Sequence, residues 1–142
     1  MPFMQNPTPR KRGPAGQRIE QLARFRYQLR KFLRFSERAA CRAGVTPQQH
    51  QLMLGVAGFT SRGWATISEL AEFLQERHNA VVGLVERARS KGLVTKEVVA
   101  EDRRVVRVEL TRRGRIVLGR LSTIHHAEVA RLHRRSLGAG AR

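Results

Sequence analysis

Two short stretches of the chain hold side chains that can recognise a nucleic acid. The first is Arg77, His78, Asn79 and Val82, at the start of a helical pattern. An asparagine can bond an adenine edge through both amide atoms, and a valine can touch a thymine methyl. The second is Asp102, Arg103 and Arg104, set between two apolar runs. Two guanidinium groups on a hairpin can reach phosphates or a narrow minor groove, and a neighbouring carboxylate can hold one in place. Each stretch also has a plainer reading. His78 and Asn79 suit an exposed helix start with local capping, and residues 102–104 suit an ordinary charged turn.

Other chemistries find little to work with. The chain has no Ser-His-Asp type of local signature, no Gly-rich phosphate loop and no paired metal ligands on one helix. Its one carboxylate cluster, Glu69, Glu72 and Glu76, suits surface and capping positions. His125, His126 and His133 share the last helix, with 126 and 133 on one face, but no carboxylate cluster of metal spacing accompanies them. No catalytic residue, metal or cofactor is expected. Cys41 is the single cysteine, so it forms no intramolecular disulfide and reads as an inert, partly buried thiol.

Charge narrows the partner. Twenty-eight Lys and Arg face eleven Asp and Glu over 142 residues, a net +17 with a pI near 11.9. Such a chain attracts polyanions, and double-stranded DNA is the partner expected. The bland alternative is a solvated surface in a chain that uses arginine throughout. RNA recognition wants exposed stacking aromatics, whereas most of the eight aromatics here fall in helical seams. No helix pairs a basic face with an aromatic-rich one, and no apolar run is long enough to span a bilayer, so no membrane partner is expected. The opening MPFMQNPTPRKRGPAG has no apolar core of a signal peptide, and the expected location is the cytoplasm.

The elements that must position these residues read as follows. Residues 1–16 predict a disordered basic arm, and residues 137–142 a disordered tail. Residues 17–136 form a single domain. From 17 to 43, Leu22, Phe25, Leu29, Phe32, Ser36 and Ala39 repeat at 3,4 spacing, the seam of a long helix that packs along another one. Gly44 ends it. Thr46-Pro47-Gln48-Gln49 and Thr66-Ile67-Ser68-Glu69 are two capping boxes, each opening a helix. Trp64-Ala65 between them suits a short strand. The next helix, 77–91, packs Val81, Leu84, Val85 and Ala88 on the helix before it and ends at Gly92. Its mid-helix Gly83 allows either close approach to DNA or close packing on another helix. Residues 93–99 and 105–110 alternate as two strands around a charged turn at 100–104. Thr111 caps a last helix to about His133. The fold class is thus mainly α with a small β-hairpin wing, a winged helix-turn-helix over 46–110. In such a pair the second helix enters the major groove with its N-terminal residues at base edges.

These motifs resemble the MarR family of winged-helix regulators. The strings ISELAEFL, VVGLVERARSKGLV and EDRRVVRVELTRRG carry the resemblance, which covers roughly residues 17–134. It implies an obligate homodimer interlocked through helices 17–43 and 111–134. It also implies a pseudo-palindromic operator, usually held as a repressor, a recognition helix at 77–91 and a wing at 94–110. Many members bind a small-molecule effector between the dimer helices and the winged helix, and some sense peroxide through a cysteine near the start of the first helix, where Cys41 does not lie. The chain departs from the pattern in places. Arg77 stands where a capping Ser is common, and Val99 and Glu101 replace the wing's first Asp and its Arg. Asp102 and Arg104 match, leaving the minor-groove arginine open between Arg104 and Arg103. The competing expectation is a non-specific, nucleoid-type DNA-architectural protein, which holds any duplex alike.

Overall fold

The computed structural model describes residues 12–99 and 101–138, the side chains of 103 and 136–138 excepted. Its elements run α1 (Pro14–Arg42), α2 (Pro47–Gly58), β1 (Trp64–Thr66), α3 (Ile67–Leu74), α4 (His78–Ser90), β2 (Val94–Val99), β3 (Asp102–Leu110) and α5 (Arg112–Gly138). The chain separates into two compact units, one up to Leu33 and one from Arg34 onward.

The first unit contributes the leading part of α1. Most of the expected arm lies outside the described residues, but Pro14 to Gly16 are already helical. Proline suits a first helical turn, whose N–H is orphaned in any case, and the Gln17 N–H bonds the Gly13 carbonyl at 3.0 Å. Ile19, Leu22, Phe25 and Leu29 along this stretch are 66, 65, 61 and 38% exposed. Arg12 pairs with Glu20 at 2.9 Å, and the Lys31 ammonium lies 5.3 Å from the Tyr27 ring centre.

The second unit holds the core. Both capping boxes form reciprocally: the Gln49 N–H bonds Thr46 Oγ1 and the Thr46 N–H bonds Gln49 Oε1, and Glu69 and Thr66 repeat the exchange. Glycines with positive φ end α1 and α4, Gly44 at 80° and Gly92 at 71°. Leu52, Met53 and Val56 of α2 meet Leu70 of α3, Val81 and Val85 of α4, and Leu93, Val94, Val108 and Leu121 in one buried cluster. Each such side chain contributes roughly 1.5–3 kcal/mol relative to exposure. Gly55 lets the Phe73 ring press against α2, where a methyl group would strike it. Cys41, expected to be partly buried, is exposed, because α1 turns its Ala39 and Ala40 inward instead.

The sheet is three-stranded and antiparallel in the order β1-β3-β2. Trp64, Ala65 and Thr66 pair with Glu109, Val108 and Arg107, so the short stretch before α3 is a strand of the wing's own sheet. The hairpin differs from the expected turn at 100–104. Val99 already pairs with Asp102, and the register then jumps to Val98 opposite Val106, leaving residues 103–105 as an unmatched bulge on β3. Arg103 and Arg104 therefore sit in an irregular strand segment.

The LTRRG string has a physical explanation. The Thr111 N–H bonds the Leu93 carbonyl at 3.0 Å, its hydroxyl donates to the Gly92 carbonyl at 2.5 Å, and Thr111 Oγ1 also accepts the Gly114 N–H at 3.0 Å. A Cβ on Gly114 would fall on the Leu93 carbonyl oxygen. Helix α5 can start against the base of the hairpin only because position 114 has no side chain. It then runs through residue 138, past the expected end near 134, and residues 139–142 of the expected tail lie outside the described part.

Candidate nucleic-acid interface

Helices α3 and α4 are joined by three residues. Gln75 takes a left-handed conformation, φ 52°, stabilised by its Nε2 donating to the Glu72 carbonyl at 2.7 Å. Arg77 follows in an extended conformation as the N-cap of α4, with no side-chain capping bond. Val81, Leu84, Val85 and Ala88 are all buried, as their spacing requires. That anchoring turns the other face outward: Arg77, His78 and Asn79 are exposed and Val82 is 41% exposed. Four of the residues expected to read a nucleic acid therefore share one open helix start. Among the described residues, Gly83 has only the Arg87 guanidinium over it, at 3.3 Å from where a Cβ would be. Of its two readings, packing on another helix of this chain is not what the structure has.

The wing contributes Asp102 and Arg104, both exposed, while the Arg103 side chain lies outside the described residues. Asp102 was expected to steady a guanidinium. Its Oδ1 accepts the main-chain N–H of Arg104 at 3.0 Å, so the carboxylate shapes the strand. Two further cations near the sheet are already engaged. The guanidinium carbons of Arg62 and Arg107 lie 3.9 and 4.5 Å from the Trp64 ring centre, within cation–π range, and pair with Glu69 and Glu109. Burial raises the Glu69 carboxyl, but bonds from the Thr66 main chain, Arg62 and the Thr66 hydroxyl outweigh it and lower the net value. This ladder braces β1 against β3.

Two groupings went unread in the sequence. On α4 and β2, Glu86 accepts bonds from Arg89 and from Lys96 Nζ at 2.8 Å, which hold its carboxyl down to about 2. The 86–89 spacing was visible, but the Lys96 contact exists only once the wing folds back. The second grouping joins α1, α2 and α5. His125 Nδ1 donates to the Leu121 carbonyl at 2.7 Å, and its Nε2 is hydrogen-bonded with Ser36 Oγ at 2.8 Å. Its ring lies 4.7 Å from that of His50, which is 5% exposed and whose Nδ1 has no hydrogen-bond partner among the described residues. Burial, and then the nearby His125, push the His50 pKa down. Among the described residues no cluster of three or more His, Cys, Asp or Glu could hold a metal ion, and no helix is long and apolar enough to cross a membrane.

Residues 43–105, from the end of α1 to the wing bulge, match the model of the MarR family. Over these residues the chain is similar to the winged helix of the MarR family. Its fold is shared with a MarR family transcription regulator at 25% identity and a TM-score of 0.75, covering 89% of this chain and 83% of that one. AbsC, a MarR family transcriptional regulator from Streptomyces coelicolor, is 20% identical with a TM-score of 0.70, covering 86% and 80%. A mutant of MepR from Staphylococcus aureus, solved bound to an oligodeoxyribonucleotide, is 18% identical with a TM-score of 0.65, covering 84% and 91%. No curated protein sequence matches the chain. In this fold Arg77 precedes, and His78 to Val82 open, the second helix of the helix-turn-helix pair, and Asp102 to Arg104 lie in the hairpin strand β3.

Proposed function

We propose that the protein is a sequence-specific DNA-binding transcriptional regulator, a repressor that holds a pseudo-palindromic operator as a homodimer and is released by a small effector. The observation that carries this reading is the exposed first turn of α4. Its apolar stripe is locked into the core while His78, Asn79 and Val82 face outward. The net charge of +17 supplies the attraction to the phosphate backbone. The MepR structure, a shared fold with an oligodeoxyribonucleotide bound, supports the choice of DNA. The exposed row Ile19, Leu22, Phe25 and Leu29 supports a second subunit along α1. A cavity of about 210 Å³ between α2 and α4, lined by Gln48, Gln51, Leu74 and Arg87, is below the usual 300–1,000 Å³ of ligand sites, so the effector is not assigned to it. A second reading, the non-specific architectural protein, draws on the charge alone.

One titration series separates the two. Asn79→Ala should cost about 1–3 kcal/mol on an inverted repeat upstream of the protein's own gene and little on random duplex. Arg104→Ala should weaken both and make the log-affinity against log-salt slope shallower by about one unit. Equal losses on both duplexes for Asn79→Ala would hand the function to the architectural reading.

A further inference from the structure

Glu86 is the one carboxylate of α4, whose sequence is HNAVVGLVERARS. It lies four residues beyond Val82 and eight beyond His78, in the same row and about 12 Å further along the helix. A bare carboxylate on a face that meets DNA would be repelled by the phosphates. Here it is not bare. Arg89 Nε lies 3.2 and 3.3 Å from its two oxygens, Arg89 Nη2 also bonds it, and Lys96 Nζ reaches it from β2 at 2.8 Å. All three side chains stay 40–50% exposed, at the surface where a duplex would lie. One negative group thus occupies two cations, one on the helix and one on the wing strand.

We infer that Glu86 is a positioning residue that ties β2 to α4 and withholds Arg89 and Lys96 from the DNA backbone. Affinity for arbitrary duplex is thereby kept low, and contacts at 77–82 decide where the protein settles. This rests on the DNA-binding reading above. It differs from a merely structural role in what it moves. Exposed ion pairs of this kind add little to stability, so the effect belongs in the salt dependence of binding and not in the melting temperature.

The test uses the full chain and a random-sequence duplex of about two helical turns, titrated at several salt concentrations. Glu86→Gln keeps the shape and removes the charge, and it should tighten random-duplex binding and steepen the salt slope by about 1–2 units, with the melting temperature unchanged. Lys96→Gln alone should leave the slope as in the wild type, because that ammonium is already occupied. Adding Lys96→Gln to Glu86→Gln should take back about one unit of the steepening. A shallower slope for Lys96→Gln alone would mean that Lys96 contacts phosphate with Glu86 in place, and would overturn the inference. So would identical slopes for all four proteins, while leaving the DNA reading intact. A wild-type protein without affinity for any duplex would overturn both.

Discussion

Asn79 and His50 show two different uses of a polar side chain in one small fold. Asn79 is exposed on a helix start where local capping is absent, so its amide is free to meet a partner. His50 is buried, and burial together with His125 keeps its imidazole from charging. The sign of the consequence follows. An unfolded His50 takes up a proton near its ordinary value, whereas the folded one resists it, so the stability it contributes is present above about pH 6.5 and is lost as the pH drops below it. Glu69 and Glu86 also have lowered values, but their contributions are lost only in stronger acid, below the ordinary carboxylate range. Urea unfolding of the wild type and a His50 variant between about pH 7.5 and 5 therefore covers the window of this histidine. The wild type should lose stability across that window and His50→Asn should lose less of it. A slope unchanged by the substitution would rule His50 out as the titrating group.

At the scale of elements, what could be read from the sequence was local. Thr46 with Gln49, Thr66 with Glu69, and the stripe Val81–Leu84–Val85–Ala88 each act within one or two helical turns, and each formed as its spacing requires. Contacts closed by the folded wing were illegible for the opposite reason. Lys96 meets Glu86 across the end of α4, and the bulge at 103–105 depends on how β2 and β3 register. Gly114 belongs with these. As a sequence it is one glycine in LTRRG; in the fold it faces the carbonyl of Leu93, 21 residues earlier. Gly114→Ala should accordingly cost about 3 kcal/mol, since neither a helix start nor a strand base can yield easily. Gly119→Ala on the same helix, where nothing stands within 4 Å, should be neutral or slightly stabilising. Chemical denaturation of both variants checks the contrast, and equal effects would refute the crowding argument.

For the whole molecule, the row Ile19, Leu22, Phe25 and Leu29 matters most, because four large apolar residues exposed in one helical row are a poor surface for a lone chain. The homodimer proposed above should be the species seen by light scattering at micromolar concentration. Leu22→Asp with Phe25→Asp should yield monomer, and with it a loss of operator affinity well beyond that for random duplex, because two half-sites can no longer be engaged together. A folded wild-type monomer at that concentration would refute the assembly.

The Thr111–Leu93 junction makes the hairpin and α5 parts of one lever. The strand β3 runs from Asp102 to Leu110 and α5 begins two residues later, pinned to the base of β2 by the Leu93 carbonyl. With the pivot at that peptide, the far end of β2 sits at the end of an arm of about 20 Å, from the six steps of extended chain between Leu93 and Val99. Turning the arm by about 10° would sweep its end through about 3.5 Å, more than half the ~6 Å width of a minor groove. If the DNA-binding reading proposed above holds, a small rotation at the start of α5 is thus geared up into the difference between a wing arginine seated in a groove and one standing outside it.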